Sequence, residues 1–347
     1  AKAHGITEVR GDLIVDVSLF DDVKVPPRFD KKDSDHAYRA YVGAAASDYG
    51  TLQVRVRPGS RPGDPLRVFV DPAGARIELD NRGVTKPGRN RLMVSTVPQP
   101  TLDKVVVRGS LPPDGRLRSV LRRTEFPNET VAHAFGSLLA TEGVTLRGKI
   151  RVSYVPAIPD GALELGRHPS DPLSQIVARL NQWSNNFMAE MLLKHLGAAL
   201  GRPGSSSKGT RAVTSFLTSI GVPKEAFEYG NGSGLYDANA FTPRALTTVL
   251  SAMWKRPDLA NEYVASLAVG GRPGTLQSRL LRPKGLAGRV RAKTGTLARA
   301  ISLSGYAFPP KGGPYAFSIL MNQVKGRGAG RRAADRVATV LATWEGS

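Results

Sequence analysis

Apolar residues along this chain follow two patterns. Up to about residue 125 they come in short, partly alternating runs: Leu13-Ile14-Val15, Leu52-Gln53-Val54-Arg55-Val56, Val68-Phe69-Val70 and Val105-Val106-Val107. Turn formers such as Pro58-Gly59-Ser60 and Pro72-Ala73-Gly74 separate them, which is the signature of strands joined by tight turns. The spacing then predicts a helix over 129–142 with Val131, Phe135, Leu138 and Leu139 on one face, and a strand over 149–152. After a loop at Ile158-Pro159-Asp160-Gly161 the period becomes helical, with Leu173, Ile176, Val177 and Leu180 on one stripe. Further helices are predicted over 208–220 and 243–254, and strands over 289–293, 301–308 and 315–323. A last helix, 328–344, places Val337, Val340, Leu341 and Trp344 on its apolar side.

Helices, then three sequential strands, then a terminal helix imply an antiparallel sheet flanked by helices, so the fold class is α+β. The change of period divides the chain into a strand-rich part, 1–165, and a second domain, 166–347. No internal repeat is visible.

Composition narrows the chemistry. No run of eighteen apolar residues exists, so no conventional membrane-spanning helix is predicted. The absence of cysteine excludes thiol catalysis, disulfides and cysteine-ligated metal. His4, His36, His133, His168 and His195 show no HExxH-like spacing, which disfavours a metal site unless histidines distant in sequence converge in space. The excess of 49 Lys+Arg over 29 Asp+Glu, +20 in all, implies attraction to nucleic acid, an anionic membrane face or an acidic wall polymer; a general arginine bias explains it equally well. The opening Ala1-Lys2-Ala3-His4-Gly5 is not a signal peptide, so the chain reads as a mature form or a fragment.

Two tripeptides carry candidate chemistry, Ser184-Asn185-Asn186 and Lys293-Thr294-Gly295. Alone they are weak: Ser-x-Asn is expected about once by chance in such a chain, and Lys-Thr-Gly in roughly one chain in ten. Their bland readings are a helix N-cap serine and a solvated lysine at a strand end. Their context is more specific, since the first interrupts two helical stretches and the second ends a strand about a hundred residues later. A serine nucleophile needs an adjacent base, and a second cation such as Lys293 can hold that base neutral. Ser184 and Asn186 are suited to relaying protons and holding a substrate amide, and Gly295 removes a side chain where a substrate lies along the strand.

The chain resembles the type-4, low-molecular-mass penicillin-binding proteins, the D-alanyl-D-alanine carboxypeptidase/endopeptidase group. The resemblance rests on Asn181 to Glu190 (the Ser-x-Asn helix), Asn231-Gly232-Ser233-Gly234-Leu235 with Asn for the usual Asp, and Gly271-Arg272-Pro273-Gly274-Thr275-Leu276. Arg291 to Leu297, Leu303 to Tyr306 and Phe317 to Asn322 continue it in order, and it covers nearly the whole chain. It implies a serine β-lactamase/transpeptidase-like domain preceded by strand-rich inserted domains. It also implies catalytic roles for Ser184, Asn186 and Lys293, and substrate binding by Thr294, Gly295 and Thr296, with the Thr296 N–H in the oxyanion hole. No metal or organic cofactor is implied; the implied partners are a peptidoglycan stem peptide and β-lactams as acylating inhibitors, with an anionic wall polymer as a further candidate. The implied location is periplasmic or extracellular, at the cell wall.

One departure stands out. The family's Ser-x-x-Lys should lead, yet the one occurrence, Ser205-Ser206-Ser207-Lys208, follows Ser184 and sits in a Gly/Pro/Ser-rich turn. It reads as a loop and helix N-cap, so the nucleophile is expected before Ala1, by truncation of this sequence, with a separate chain of a cleaved enzyme or outright loss as the other accounts. A non-catalytic peptidoglycan-binding homologue is the alternative. A nucleic-acid-binding protein is disfavoured, because aromatics are 7% and not interleaved with the basic residues, and no helix-turn-helix or zinc-finger spacing is present.

Between Gly271 and Ala300 stand eight basic residues and no acidic one, which fits either steering of an anionic ligand or a solvated surface. Glu190 and Lys194, four apart, read as a surface ion pair, and His195 as structural. For Ser233 and Asp237, cleft-lining and plain turn roles stay open.

Overall fold

A computed structural model describes residues 5–29 and 34–346, so His4 and the rest of the opening tetrapeptide lie outside it. The chain clusters into two units: Ala1–Pro26, Lys31–His168 and Glu190–Lys208 form one, and Pro27–Asp30, Pro169–Ala189 and Gly209–Ser347 the other. The segment 190–208, which the sequence pattern groups with the second domain, clusters with the first unit.

In the first unit, Thr51–Arg57 pairs antiparallel with Arg67–Asp71 on one side and Arg118–Arg123 on the other. A second, mixed sheet joins Ile77–Asn81, Asp103–Arg108 and Met93–Pro98. Alternation sends Leu52, Val54, Val56, Val105 and Val107 into one core, each fully buried. Leu13–Asp16 and Ile150–Ser153 form a parallel pair beside helix α1, Pro127–Thr141. Here the sequence expectation needs correcting: Phe135 and Leu138 are exposed, and α1 buries Pro127, Asn128, Thr130 and Ala132 instead. Its contact with the strand pair is made through Gly136, where a Cβ would lie 2.6 Å from Ile150 Cδ1.

The surface-pair reading of Glu190 and Lys194 is also corrected, since both are 1% exposed. Lys194, on helix α3 (Asn186–Ala199), donates to Asp21 Oδ1 at 2.5 Å and to the Val23 carbonyl at 2.6 Å, with the Phe20 ring beneath it. Burying that ammonium requires such partners. His195 packs edge-on against Phe20, with ring centroids 4.9 Å apart, and burial lowers its pKa.

The second unit is a helix–sheet–helix sandwich. Its antiparallel sheet runs β1 (Ala268–Val269), β2 (Val290–Thr296), β3 (Ile301–Ala307) and β4 (Tyr315–Met321), in that spatial order. Period-two alternation gives each face its own cover. Val290, Ala292, Leu303 and Phe317 point to helix α7, Arg327–Thr343. Tyr306 points the other way, to helices α5 (Pro243–Trp254) and α6 (Ala260–Ser266), and its hydroxyl donates to the Leu250 carbonyl at 2.7 Å.

Helix α7 lies where the pattern predicts a helix but turned about its axis. Its buried stripe is Gly330, Ala334, Ala338 and Ala342, while Val337, Val340 and Trp344 are exposed. Small residues at four-residue spacing let the helix sit close on the sheet: a Cβ at Gly330 would be 3.1 Å from Ile301 Cγ1. Helix α2, Leu173–Trp183, partly buries Ile176, Val177 and Leu180 of the expected stripe, but Leu173 is exposed and none of its residues is fully buried.

Candidate active site

The site is built from a broken helix and a strand. Helix α2 stops at Ser184, whose backbone is left-handed (φ 56°, ψ 51°). For a residue with a Cβ this costs about 1 kcal/mol, so the surroundings must hold it. They do so from two sides. Thr275 N–H donates to the Gln182 carbonyl at 2.9 Å, and Asn181 Nδ2 donates to Ser266 Oγ at 2.9 Å. The hydroxyl of Ser266, a residue 1% exposed, donates in turn to the Tyr263 carbonyl at 2.7 Å. The Gly-x-x-Gly-Thr turn fits only as glycine at Gly274, where φ is 128° and a Cβ would lie 2.8 Å from Gln182 O.

Helix α3 then starts at Asn186, and Asn185 caps it, its Oδ1 accepting from Met188 N–H at 3.0 Å. The N-cap role considered for Ser184 thus belongs to Asn185, and the Ser184 hydroxyl is released toward the sheet. Lys293 on β2 donates to Ser184 Oγ at 2.7 Å and to the Thr294 carbonyl at 2.9 Å. The two motifs, 109 residues apart, meet directly. Burial pushes the Lys293 pKa from 10.5 down to about 8, because the charged form is poorly solvated there. A solvated lysine at a strand end is therefore the wrong description.

Lys293, Gly295 and Arg291 share one face of β2, opposite Ser304, Ser302 and Tyr306 of β3. Ser304 and Ser318 extend that face with a hydroxyl pair at 2.8 Å, two polar positions that sequence reasoning passed over. Their alternation within β3 and β4, with apolar neighbours facing α7, was the available signal. Thr296 lies at the exposed end of the strand, and its hydroxyl accepts from Arg331 Nη2 at 3.4 Å. Gly295 has a packing reason of its own: a Cβ there would run into Ser302 Oγ across the ladder.

The Asn231–Leu235 loop is held by its first residue. Asn231, fully buried, accepts from Gly234 N–H at 2.8 Å and donates to the carbonyls of Pro27 (3.0 Å) and Leu235 (3.3 Å). An aspartate would set a carboxylate against two carbonyl oxygens, so the amide suits this position. Ser233 Oγ accepts from Leu235 N–H at 3.4 Å, a bond within the turn.

Ser205 is the N-cap of helix α4 (Ser206–Ser219), accepting from Lys208 N–H at 3.1 Å. The Lys208 ammonium instead caps the preceding turn, donating to Gly201 and Pro203 carbonyls at 2.7 and 2.8 Å. In the basic stretch, Arg279 forks Asp335 of α7 with its shortest bond at 2.6 Å, while Arg272, Arg282, Lys284 and Arg299 are exposed. Among the described residues no group of three or more His, Asp or Glu is placed to hold a metal ion.

An antiparallel sheet between helices, with a desolvated lysine of a Lys-Thr-Gly strand bonded to a Ser-x-Asn serine, defines a transpeptidase-like fold of the penicillin-binding class. The solved structure of penicillin binding protein 4 from Haemophilus influenzae has the same fold, with a TM-score of 0.79 at 21% identity, covering 99% of this chain and 77% of that one. Residues 1–344 match the D-Ala-D-Ala carboxypeptidase 3 (S13) family, and the chain belongs to it. It is 34% identical to a D-alanyl-D-alanine carboxypeptidase of Actinomadura sp. (strain R39), over 99% of this chain and 65% of that protein. It is 25% identical to the D-alanyl-D-alanine carboxypeptidase DacB of H. influenzae, over 92% and 67%. The chain thus spans about two thirds of the length of these curated relatives.

Proposed function

We propose that this chain is the larger part of a serine-type D-alanyl-D-alanine carboxypeptidase acting on peptidoglycan stem peptides through an acyl-enzyme. The observation that carries the reading is the 2.7 Å contact of a desolvated Lys293 with Ser184, in a chain of the S13 family.

In this reading a serine hydroxyl attacks the carbonyl between the two D-alanines. The C–O bond forms, the C–N bond breaks, and D-alanine leaves with the proton given up by the attacking hydroxyl, relayed through Ser184; water then cleaves the ester. Lys293 holds the proton-relaying hydroxyl and, with Thr294, attracts the terminal carboxylate. Asn186 orients the substrate amide, and the Thr296 N–H supports the developing oxyanion. A β-lactam acylates the same serine. The nucleophile is assigned to a Ser-x-x-Lys outside these residues, since Lys208 is engaged with backbone carbonyls and Ser205 with a helix end. The reaction lies outside the cytoplasmic membrane, and among the described residues no helix is long and apolar enough to cross one. The exposed Arg272, Arg282, Lys284 and Arg299 suit an anionic wall polymer.

Intact mass after incubation with benzylpenicillin tests this, on the chain as it stands and on a form extended on its N-terminal side. An adduct on the extended form alone supports the reading. An adduct on the chain itself moves the nucleophile to Ser205 or another internal serine, and none on either leaves a non-catalytic homologue.

A further inference from the structure

The face of β2 that carries Lys293 also carries Arg291, one pleat earlier, about 7 Å along the strand. There the sheet, Trp254 at the end of α5 and one side of α6 line a solvent-open depression of about 490 Å³, with Asn261, Val264, Ala265, Arg291 and Phe308 around it. That volume falls in the range of small-molecule sites. Its walls are aromatic and braced: the Trp254 ring lies 5.5 Å from Tyr306 and 6.3 Å from Phe308.

The cation here differs from the exposed Arg272, Arg282, Lys284 and Arg299 in being partly buried, and from its partly buried neighbours in lacking a partner among the described residues. Arg279 is forked to Asp335, Arg256 to Asp258, and Arg289 donates to the Gly285 carbonyl at 2.9 Å. Arg291, partly buried, has neither a carboxylate nor a hydrogen-bond acceptor among the described residues. A guanidinium presents a planar fork of donors that matches a carboxylate, and its bonds are strongest where water is scarce. A neutral apolar guest gains nothing from that fork, and a cation would be repelled by it.

We propose that this depression is a second small-molecule site, distinct from the Ser184–Lys293 cleft. Its ligand is a monocarboxylate with an aromatic or branched aliphatic body. The carboxylate is forked by Arg291, the body lies against Trp254 and Phe308, and the Asn261 amide stands at the rim. The proposal does not depend on the catalytic reading, since none of these side chains has a part in it.

Calorimetric titration of the chain with 2-naphthoate, and with 2-naphthylmethanol as its neutral counterpart, tests it. Saturable one-to-one binding of naphthoate is expected, with the alcohol weaker by about tenfold or more. Arg291→Gln should lose about the same factor for naphthoate only, and Arg291→Lys should keep part of it. Trp254→Ala should weaken both probes. Arg282→Gln, an exposed member of the same basic stretch, should change nothing, and Lys293→Met should leave naphthoate binding intact. Absence of saturable binding overturns the proposal. So does an unaltered Arg291→Gln, an equal loss in Arg282→Gln (which would mean diffuse charge attraction), or a loss in Lys293→Met (binding in the cleft).

Discussion

Replacing Lys293 by methionine isolates the cost of burying its charge. All three tryptophans, Trp183, Trp254 and Trp344, belong to the second unit, so tryptophan fluorescence during urea unfolding reports on that unit. The native pKa is about 8 against 10.5 for a free lysine, a difference worth roughly 3 kcal/mol. Below pH 8 both folded and unfolded chains are protonated and the folded state bears the full penalty. Between pH 8 and 10.5 the unfolded chain holds more proton than the folded one, so the wild type gains stability as pH rises. Lys293→Met lacks this dependence. At pH 7 it removes the penalty but also two hydrogen bonds from an ammonium, worth about 3 kcal/mol or more together, so the two effects largely cancel there. The sharper quantity is the difference between variant and wild type, which should fall by about 3 kcal/mol from pH 7 to pH 10.5 as other titrations cancel. A difference that stays flat with pH would show that Lys293 is well solvated and refute the desolvation argument.

Gly274→Ala should destabilise the second unit by about 2 kcal/mol in the same unfolding assay, because φ 128° and the Gln182 carbonyl both oppose a Cβ. Gly295→Ala should cost about 1–3 kcal/mol by overpacking against Ser302, and Ser302→Gly in the same chain should restore most of it; unchanged stability in the single variant would leave substrate approach as the sole reason for glycine. In the first unit Asp103, buried at 2% exposure, has its pKa raised mainly by desolvation, against the lowering bonds from Thr124 and Glu125. Its folded pKa exceeds its unfolded one, so the native state should gain stability as pH falls from neutrality toward 3.8. Asp103→Asn should remove that gain, read as the pH trend in amide-exchange protection of Val105–Val107 relative to wild type.

Period and turn chemistry picked out Leu13–Asp16, Thr51–Arg57, Arg67–Asp71, Asp103–Arg108 and the three long strands of the second unit, because alternation and Gly/Pro punctuation are local; Ile77–Asn81, Met93–Pro98 and Arg118–Arg123, whose apolar positions are interrupted by polar ones, went unmarked. What they could not supply was rotation. Helix α7 was legible as a helix, but hydrophobicity pointed Val337, Val340 and Trp344 inward, while close approach to Ile301 and Val324 selects the Gly330–Ala342 stripe. Size mattered there more than apolarity, and size requirements come from the partner surface. Lys194 failed for the same reason: four-residue spacing to Glu190 describes an isolated helix, and only the fold brings Asp21 to it from 173 residues away. The site was legible as two motifs, and their meeting was not. Nothing local in Asn181, Ser266 or Gly274 says that together they fix a left-handed Ser184.

A cation with only neutral acceptors is an incomplete electrostatic arrangement. Lys293 bonds a hydroxyl and a carbonyl, and no carboxylate among the described residues pairs with it. The nearest additions on the strand and at α7 are Arg291 and Arg331, of the same sign. The site is therefore short of one anion, and a bound carboxylate would return the Lys293 pKa from about 8 toward 10.5. Linkage fixes how this shows in binding. Below pH 8 the lysine is already charged, so affinity for a carboxylate such as that of D-alanyl-D-alanine should be flat. Above it a proton must be taken up, and affinity should fall by about tenfold per pH step until the bound-state pKa is reached. Calorimetry from pH 7 to 10 in buffers of different ionisation enthalpy measures both the fall and the proton uptake. Lys293→Met should abolish the two together. Affinity that does not change over that range would mean that the carboxylate is held elsewhere, and that the desolvated lysine serves Ser184 alone.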